Sequence, residues 1–390
     1  MSSQASSAGH SEKEVRQKIV ETGTVDVMIS IRSNFFYTRS VPCELWHFDR
    51  AKPPERKDKV LMLDARNVYR KVTRKIYDFS PEQMQNLAAI VWLYRCQRER
   101  FLSLVKDYLG KVCVEIAAIP GALAPFEATL ADLRRRLDLL GRAVAEQANL
   151  DAGKKQAFAD SVRELIEAAN LYRPDVNKLH ESLTAFGQKY AKELPDTNET
   201  QHAARKEFDP NGEAIRGLVK QVDLLYKLAA RIHDLATEIS FASVNGIESR
   251  GSNNHLPLLV GEGWGEGVSY DRRVTVKLVK QLDEERKAAV EQLKQAMYFH
   301  RQVVWLQDRF PNAELQPVPG LVKLVDLKEI EVPDWSLTPG RYVGVVPPEE
   351  DENFDFEQTL RDIHTELADL NKEAAELAVK IQQNFEELGA

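Results

Sequence analysis

The chain has 390 residues, of which 43% are hydrophobic and 29% charged, and its formal net charge is −7. This length and balance are typical of a globular protein of two or three domains. No apolar run approaches the roughly 18 residues of a membrane helix, and the polar residues 1–12, a predicted disordered lead-in, lack the apolar core of a secretory signal. Three widely spaced cysteines, Cys43, Cys96 and Cys113, predict no metal site and favour a reducing cytoplasm.

Three short apolar segments near the N-terminus predict strands. Residues 13–32 predict a helix followed by a strand, and the segments "VPCELWHFDR" and "DKVLMLDARN" predict two more. These closely spaced strands are typical of the end of an α/β sheet, so residues 13–79 are predicted to be the last part of one. No earlier segment of the chain is expected to supply its first strands.

From residue 80 the sequence becomes helical. Ser80, Pro81 and Gln83 predict an N-cap, a first helical position and a capping box, and Gly110 is a plausible helix end. The region 80–244 is predicted to form helical hairpins. Further amphipathic helices are expected at about 121–148, 154–172, 174–193, 199–243 and 274–309.

A glycine-rich segment, 245–273, interrupts these helices. Its alternating glycines suggest a phosphate-binding or cofactor-binding loop, but such a loop lies between a buried strand and the N-terminus of a helix, whereas this segment lies between two long helices. An insertion without catalytic function is the favoured interpretation. Residues 274–340 are predicted to be a helical region and linker.

The C-terminal part, 341–390, is predicted to be an extended arm or short strand followed by a helix with a heptad pattern. Thirteen acidic and three basic residues lie between residue 348 and the end. The apolar seam predicts a coiled coil or a helix at a bundle edge, covered by another helix of this chain or of a partner. Its predicted docking residues are Leu360, Ile363, Leu367, Leu370, Leu377, Ile381 and Leu388.

The sequence contains no complete catalytic motif. A Ser-His-Asp elbow, a His-Glu-x-x-His pair and a phosphate-binding loop are all missing, and the eight histidines are scattered. The two Pro-Pro pairs lack the preceding Asn or Asp and the following aromatic residue of an amino-group methyltransferase. We therefore expect no catalytic residues and no metal site in this chain.

Three segments in order resemble one known family. Residues 15–53, residues 59–95 and the motif "LTPGRYVG" at 337–344 closely resemble the modification subunit of type I restriction-modification systems, an adenine-N6 DNA methyltransferase. The resemblance covers about residues 12–110 and 275–390. It implies a mostly α fold with a small α/β part: the last strands of a Rossmann-like methyltransferase sheet, then long helical hairpins and a coiled-coil-like C-terminal helix.

The resemblance also has departures. In the family, the S-adenosylmethionine loop and the Asn-Pro-Pro-Phe type motif precede the point where this chain starts, so the resemblance implies a C-terminal portion that is inactive alone. S-adenosylmethionine is the implied cofactor of a complete member, and this chain alone is not expected to bind it. Cys96 replaces a usual glycine, and Thr38-Arg39-Ser40 replaces a glycine-containing loop, which puts the local loop shapes in question.

The resemblance assigns an aromatic site to the segment after the first strand. Phe36 matches the ring that stacks on the flipped target adenine, with Tyr37 and Asn34 as neighbours. Phe35 is predicted to pack in the core, because adjacent side chains of an extended strand point in opposite directions. The alternative for Phe36 is ordinary core packing.

The following basic band suggests contact with DNA. Between residues 50 and 75 there are ten Lys or Arg and three Asp or Glu, which indicates either phosphate contacts or a solvated linker. The predicted contacts are Arg50, Lys52, Arg56, Lys57, Arg66, Arg70, Lys71, Arg74 and Lys75.

The resemblance implies double-stranded DNA and the specificity and restriction subunits as partners, no membrane, and the cytoplasm of a bacterium or archaeon. The heptad helix is expected to dock on the specificity subunit. The alternative function is a non-catalytic helical scaffold or assembly protein, and the aromatic segment distinguishes the two, since a scaffold has no use for it.

Overall fold

The computed structural model describes residues 3–9, 11–36, 40–73, 76–146, 151–244 and 272–345, together with positions 374, 377, 378 and 381. The chain divides into two units, residues 1–343 and 344–390. The strands of the first unit are β1 (Val25–Ile31), β2 (Cys43–Phe48), β3 (Lys59–Asp64), β4 (Arg70–Lys71), β5 (Tyr77–Asp78) and β6 (Val322–Asp326). Its helices are α1 (Ser11–Glu21), α2 (Pro81–Tyr94), α3 (Arg98–Glu146), α4 (Ala152–Tyr190), α5 (Asn198–Val244), α6 (Arg272–Arg309) and α7 (Leu327–Glu331). The predicted mostly α fold with a small α/β part is confirmed.

Four strands form one mixed sheet in the order β2-β1-β3-β6. β1 and β3 are parallel, whereas β2 and β6 run antiparallel to their neighbours. Met28 of β1 is opposite Trp46 of β2 and Met62 of β3. Strands β4 and β5 form a separate two-stranded hairpin.

The sheet is covered on both faces, which explains why its strands are almost continuously apolar. Val27, Leu61 and Leu63 belong to the core that they share with the long helices. Met28 and Met62 face the other way, into a smaller core with α1, α7 and the segment 335–343. The carboxyl ends of β1 and β3 therefore belong to a sheet that is packed against a hydrophobic core on each face.

Strand β6 was not predicted by the sequence, which assigned residues 274–340 to helix and linker. The five residues of β6 pair antiparallel with β3, with Leu61 opposite Leu324. The predicted strand or extended arm at 341–346 is not a strand within the described residues: Pro339–Arg341 forms a 3₁₀ turn. Since β6 is short and its partner lies more than 250 residues earlier, local periodicity contains little signal for it.

The predicted helix start at residue 80 is confirmed, and its predicted end is wrong. Ser80 and Gln83 form both bonds of the capping box, but the helix breaks after Tyr94. Cys96 has a φ of 57°, and the N–H of Gln97 donates to the carbonyl of Trp92 at 2.8 Å, the pattern of a Schellman end, which glycine favours. The departure at Cys96 thus falls where the backbone is left-handed.

Four long helices follow this break. α3 packs against α4 and α6, and α5 packs against α4 and α6, so the four form a bundle as the hairpin prediction required. Gly110 lies inside α3 and Pro174 inside α4, so two predicted helix boundaries are absent. Continuous burial along one face of each helix outweighs the tendency of glycine and proline to end a helix.

The segment Arg98–Arg142 is long and apolar enough, by length and composition, to cross a membrane. Phe101, Tyr108, Val112 and Phe126 of this segment have no exposed surface, whereas Val114 is 68% exposed. One such helix is weak evidence for a membrane span, because the core helix of a bundle passes the same test of length and composition.

Candidate nucleic-acid interface at the carboxyl edge of the sheet

The parallel strands β1 and β3 end at the same edge of the sheet, where ligand sites of α/β sheets usually lie. The predicted stacking residues follow β1 directly, and Arg66 follows β3. The hairpin β4–β5 comes next along the chain, and the N–H of Tyr77 donates to the carbonyl of Asn34 at 3.1 Å. The topology therefore brings the aromatic segment and part of the basic band together.

The turn after β1 gives two adjacent aromatic rings different surroundings. Asn34 is left-handed, with a φ of 63°, which Asn tolerates better than most residues. Phe35 packs its ring on Phe79, with centroids 4.4 Å apart. Phe36 is 53% exposed. Phe35 thus lies where a packing ring is expected and Phe36 where a ring is accessible, while Tyr37 lies outside the described residues.

The guanidinium of Arg32 connects this turn to the hairpin by contacting two tyrosine rings. The Cζ atom of Arg32 lies 3.9 Å from the ring centroids of both Tyr69 and Tyr77, and the two rings meet edge to face at 5.0 Å. Nothing in the sequence pattern singled out Arg32. This cluster of one arginine and two tyrosines contains residues up to 45 positions apart, so only the tertiary structure reveals it.

Asp64, Arg66 and Gly340 form a second contact at this edge. Arg66 donates to both carboxylate oxygens of Asp64, with Nε–Oδ1 at 2.9 Å and Nη2–Oδ2 at 2.5 Å. Asp64 is buried, and the Arg66 side chain is half-exposed. The backbone of Gly340, from the predicted "LTPGRYVG" motif, passes so close that a Cβ there would overlap Nη2 of Arg66 and lie 3.2 Å from Oδ2 of Asp64.

A side chain at Gly340 would displace the guanidinium of Arg66. We expect Gly340→Ala to push the flexible end of Arg66 away from Asp64 and to lower the free energy of unfolding by about 1–3 kcal/mol, the usual range for overpacking. Chemical denaturation of the single variants and of the double variant with Arg66→Ala provides a double-mutant cycle. Strict additivity of the two costs would contradict the proposed overlap.

A buried acid lies beside this edge on β2. Glu44 is 2% exposed, accepts a hydrogen bond from Ser6, and accepts another from Ser30 at 3.3 Å. Burial raises the pKa of Glu44 to about 7, although the Ser30 and Thr338 hydroxyls partly offset the rise. The N-terminal and C-terminal segments meet here, since Leu337 donates its N–H to the Ser6 carbonyl.

The basic band is divided between the two edges of the sheet. Because β2 is antiparallel to β1, residues 49–58 return the chain to the amino edge of β1, the edge opposite Phe36. Six residues of strand at about 3.3 Å each separate the two edges by roughly 20 Å. Nine predicted phosphate contacts therefore do not form one surface.

At the amino edge two of these cations are engaged internally. Lys52 is 3% exposed and donates to the carbonyls of Val25, at 2.6 Å, and Lys59. Arg56 lies 3.7 Å from the buried carboxylate of Asp26. A phosphate contact by Lys52 does not fit this placement, because its ammonium group is buried and donates hydrogen bonds to backbone carbonyls.

The other predicted cations within the described residues are exposed. At the amino edge these are Arg50 and Lys57; at the carboxyl edge, Arg66, Arg70 and Lys71. Arg70 also pairs with Asp78 across the hairpin, with Nη2–Oδ2 at 2.7 Å. Arg74 and Lys75 lie outside the described residues.

Most of the predicted docking helix also lies outside the described residues, as do residues 245–271 of the glycine-rich segment. In the second unit, Leu377 and Ile381 are helical and 58% and 49% exposed. The positions Leu360, Ile363, Leu367, Leu370 and Leu388 are not among those described.

Two other kinds of site are not supported at the sheet edge. Within the described ranges, no group of three or more His, Cys, Asp or Glu could hold a metal ion. A groove of about 160 Å³ lies between α3 and α4, lined by residues such as Leu123, Val176 and Leu183. It belongs to the bundle and not to the edge that carries Phe36.

Comparison with known proteins gives a match over the part of the chain that carries Phe36 and Arg66. Residues 1–106 match the family model described as N-6 DNA Methylase. Over 87 residues the chain is 32% identical to the type I restriction enzyme MjaIX methylase subunit of Methanocaldococcus jannaschii. That match covers 22% of this chain and only 16% of the relative. The resemblance to type I modification subunits is confirmed, and the family-model match includes β1, β2 and β3 but not β6 or Gly340.

Proposed function

We propose that this chain contributes to a type I adenine-N6 DNA methyltransferase, since its N-terminal segment matches the N-6 DNA Methylase family model. It would supply part of the DNA surface and the target-base wall, which is the side of the pocket that stacks on the flipped adenine. The half-exposed Phe36 ring carries this proposal, because it lies at the carboxyl edge of β1 inside the matched segment. A ring in that position can stack on an adenine that has left the duplex. Asn34 and Tyr37 are the neighbouring residues of the proposed wall.

S-adenosylmethionine is the cofactor that the family implies, and the described residues do not fit it. A carboxylate near the strand ends usually binds the ribose hydroxyls in such folds. Here Asp64 is held by Arg66, and Glu44 is buried against serine hydroxyls. We therefore assign no step of methyl transfer to these residues, and the chain on its own is proposed to be inactive.

Base stacking can be tested with the full chain and a DNA duplex that carries 2-aminopurine in a mismatch, where flipping is least costly. Phe36→Ala should weaken binding by about 5- to 150-fold, since one base–ring stack is worth about 1–3 kcal/mol. Fluorescence titration measures both the affinity and the unstacking of the base.

Phe48→Ala is the matched control. Phe48 is similarly exposed, at 45%, but lies at the end of β2 on the opposite edge, so its loss should leave the titration unchanged. Equal binding by wild type and Phe36→Ala would remove the support for a stacking wall.

The phosphate surface is proposed to consist of the three cations at the same edge, Arg66, Arg70 and Lys71. Each phosphate contact contributes about 0.9 to the slope of log K against log salt concentration. Lys71→Ala should lower that slope by about 1 without changing the 2-aminopurine signal at saturation. Lys57→Ala, at the amino edge, should leave the slope unchanged, and a slope equally sensitive to both edges would contradict this division.

Docking is proposed to involve the C-terminal helix and the specificity subunit, in the cytoplasm of a bacterium or archaeon, with the restriction subunit as a further partner. The exposed Leu377 and Ile381 support this, because an apolar helical seam in water needs a covering helix. Leu377→Asp should abolish co-purification with the specificity subunit of the same system, whereas Leu171→Asp, on the exposed side of α4, should not.

A further inference from the structure

We propose that Arg32 is a positioning residue for Phe36: its guanidinium, packed in the corner formed by the perpendicular rings of Tyr69 and Tyr77, holds the β4–β5 hairpin against the Asn34–Phe36 turn. The inference rests on the proposed function, because it explains how the stacking ring is kept in place. Arg32 itself is not proposed to touch the base.

The Phe36 ring needs outside support, since half of its surface faces solvent and a half-exposed side chain has few contacts of its own. Its position is therefore set by the backbone of the turn. Among the described residues, the Asn34 carbonyl accepts from the N–H of Tyr77, the Phe35 ring packs on Phe79, and Phe36 itself lies in an isolated β-bridge. The first two contacts are made by the hairpin or by the residue that follows it.

The hairpin is itself too small to be stable alone, because two strands of two residues each bury little surface. Arg32 links it to the sheet. The guanidinium Cζ atom lies 3.9 Å from both tyrosine ring centroids, so the cation is within attractive reach of both rings. Because the Nε atom of Arg32 is buried and has no hydrogen-bond partner among the described residues, this cation–π contact is the main interaction that retains the side chain.

The other side of the hairpin is fixed to the helices. The amide of Gln83, a member of the α2 capping box, donates to the Tyr69 carbonyl at 2.9 Å. Ser80 of the same box is bonded to the Tyr298 hydroxyl of α6 at 2.8 Å. Arg32 therefore completes a connection that runs from the bundle through the hairpin to the turn that carries Phe36.

The test uses the full chain with 4-fluorophenylalanine at position 36 and fluorine NMR. We expect Arg32→Ala to shift and broaden the Phe36 resonance and to weaken 2-aminopurine binding by about 5- to 10-fold. Arg32→Lys should behave similarly, because an ammonium group keeps the charge but not the planar stack. Tyr77→Phe, which keeps the ring and the backbone N–H, and Arg216→Ala, an exposed arginine on α5, should leave the resonance in place.

An unchanged Phe36 resonance in the folded Arg32→Ala or Arg32→Lys protein would overturn the inference, and the lysine variant decides the matter if the alanine variant does not fold. If the wild-type chain does not bind 2-aminopurine DNA, but the Arg32 variants still move the Phe36 resonance, the proposed function fails while the positioning of Phe36 by Arg32 stands. If DNA binding depends on Phe36 and the Arg32 variants change neither signal, only the positioning fails.

Discussion

Asp26→Ala is expected to lower the free energy of unfolding by about 3–5 kcal/mol, the cost of removing one partner from a buried charge network. The Asp26 side chain is completely buried. It accepts hydrogen bonds from the Tyr94 hydroxyl and from Arg95, both at 2.9 Å, and lies 3.3 Å from His47 Nδ1. Its loss would leave the Arg95 and Arg56 guanidinium groups without their shared carboxylate partner.

The same network predicts a pH dependence. Burial alone would raise the pKa of Asp26, but the hydrogen bonds from Arg95 and Tyr94 outweigh burial and hold the pKa below its ordinary value of 3.8. A carboxyl group with a lowered pKa stabilises the fold above that ordinary value, and the stabilisation is lost as the pH falls through the lowered pKa. The alanine variant should lack this part of the acid-induced loss of stability.

Chemical denaturation, followed by far-ultraviolet circular dichroism and by tryptophan fluorescence, measures the effect. Asp138→Ala is the matched control, because Asp138 forms an ion pair with Arg142 at 3.0 Å on the exposed side of α3. Such exposed pairs contribute between zero and about 1 kcal/mol. Similar small losses for both variants would contradict a large contribution of the Asp26 network to stability.

Glu44→Gln is expected to stabilise the protein above neutral pH by up to about 3 kcal/mol. Burial raises the pKa of Glu44 from 4.5 to about 7, and each unit corresponds to about 1.36 kcal/mol. Between these two values the folded state retains a proton that the unfolded state loses. The free energy of unfolding of the wild type therefore falls as the pH rises through this window, and glutamine removes that decline.

Denaturation at a series of pH values between about 4 and 8 provides the measurement. Wild type and Glu44→Gln should have similar stability at the acidic end and diverge as the pH rises. Glu14→Gln, an exposed change on α1, should follow the wild type throughout. Parallel curves for wild type and Glu44→Gln would show that Glu44 is ionised at no cost in the folded state.

Cys96 illustrates how sequence and structure contribute differently at one position. The resemblance identified Cys96 as a departure from glycine, and the structure places it in the left-handed region with a φ of 57°. The sequence nevertheless predicted that the helix continues to Gly110. A glycine ends a helix only where the chain must turn, and at Gly110 the packing of α3 on α6 continues, with Leu194 filling the space beside the glycine.

The sequence by itself determined the features that depend on neighbouring residues. Alternating apolar residues predicted β1, short apolar segments predicted β2 and β3, the Ser80–Gln83 spacing predicted the capping box, and three motifs in order indicated the family. Each of these patterns involves residues that are close in the sequence, so it can be recognised without knowledge of the fold.

Only the tertiary structure decided which of these residues meet. The direction of β2 separates Arg50 and Lys52 from Arg66 and Lys71, because a chain that returns along an antiparallel strand leaves its next loop at the opposite edge. The bulge between Val25 and Val27 accompanies the burial of Asp26. Strand β6 pairs with β3 although the helices α3 to α6 lie between these strands in the sequence. Strand direction, register and long-range pairing depend on how the whole core is packed, and no local pattern of residues encodes them.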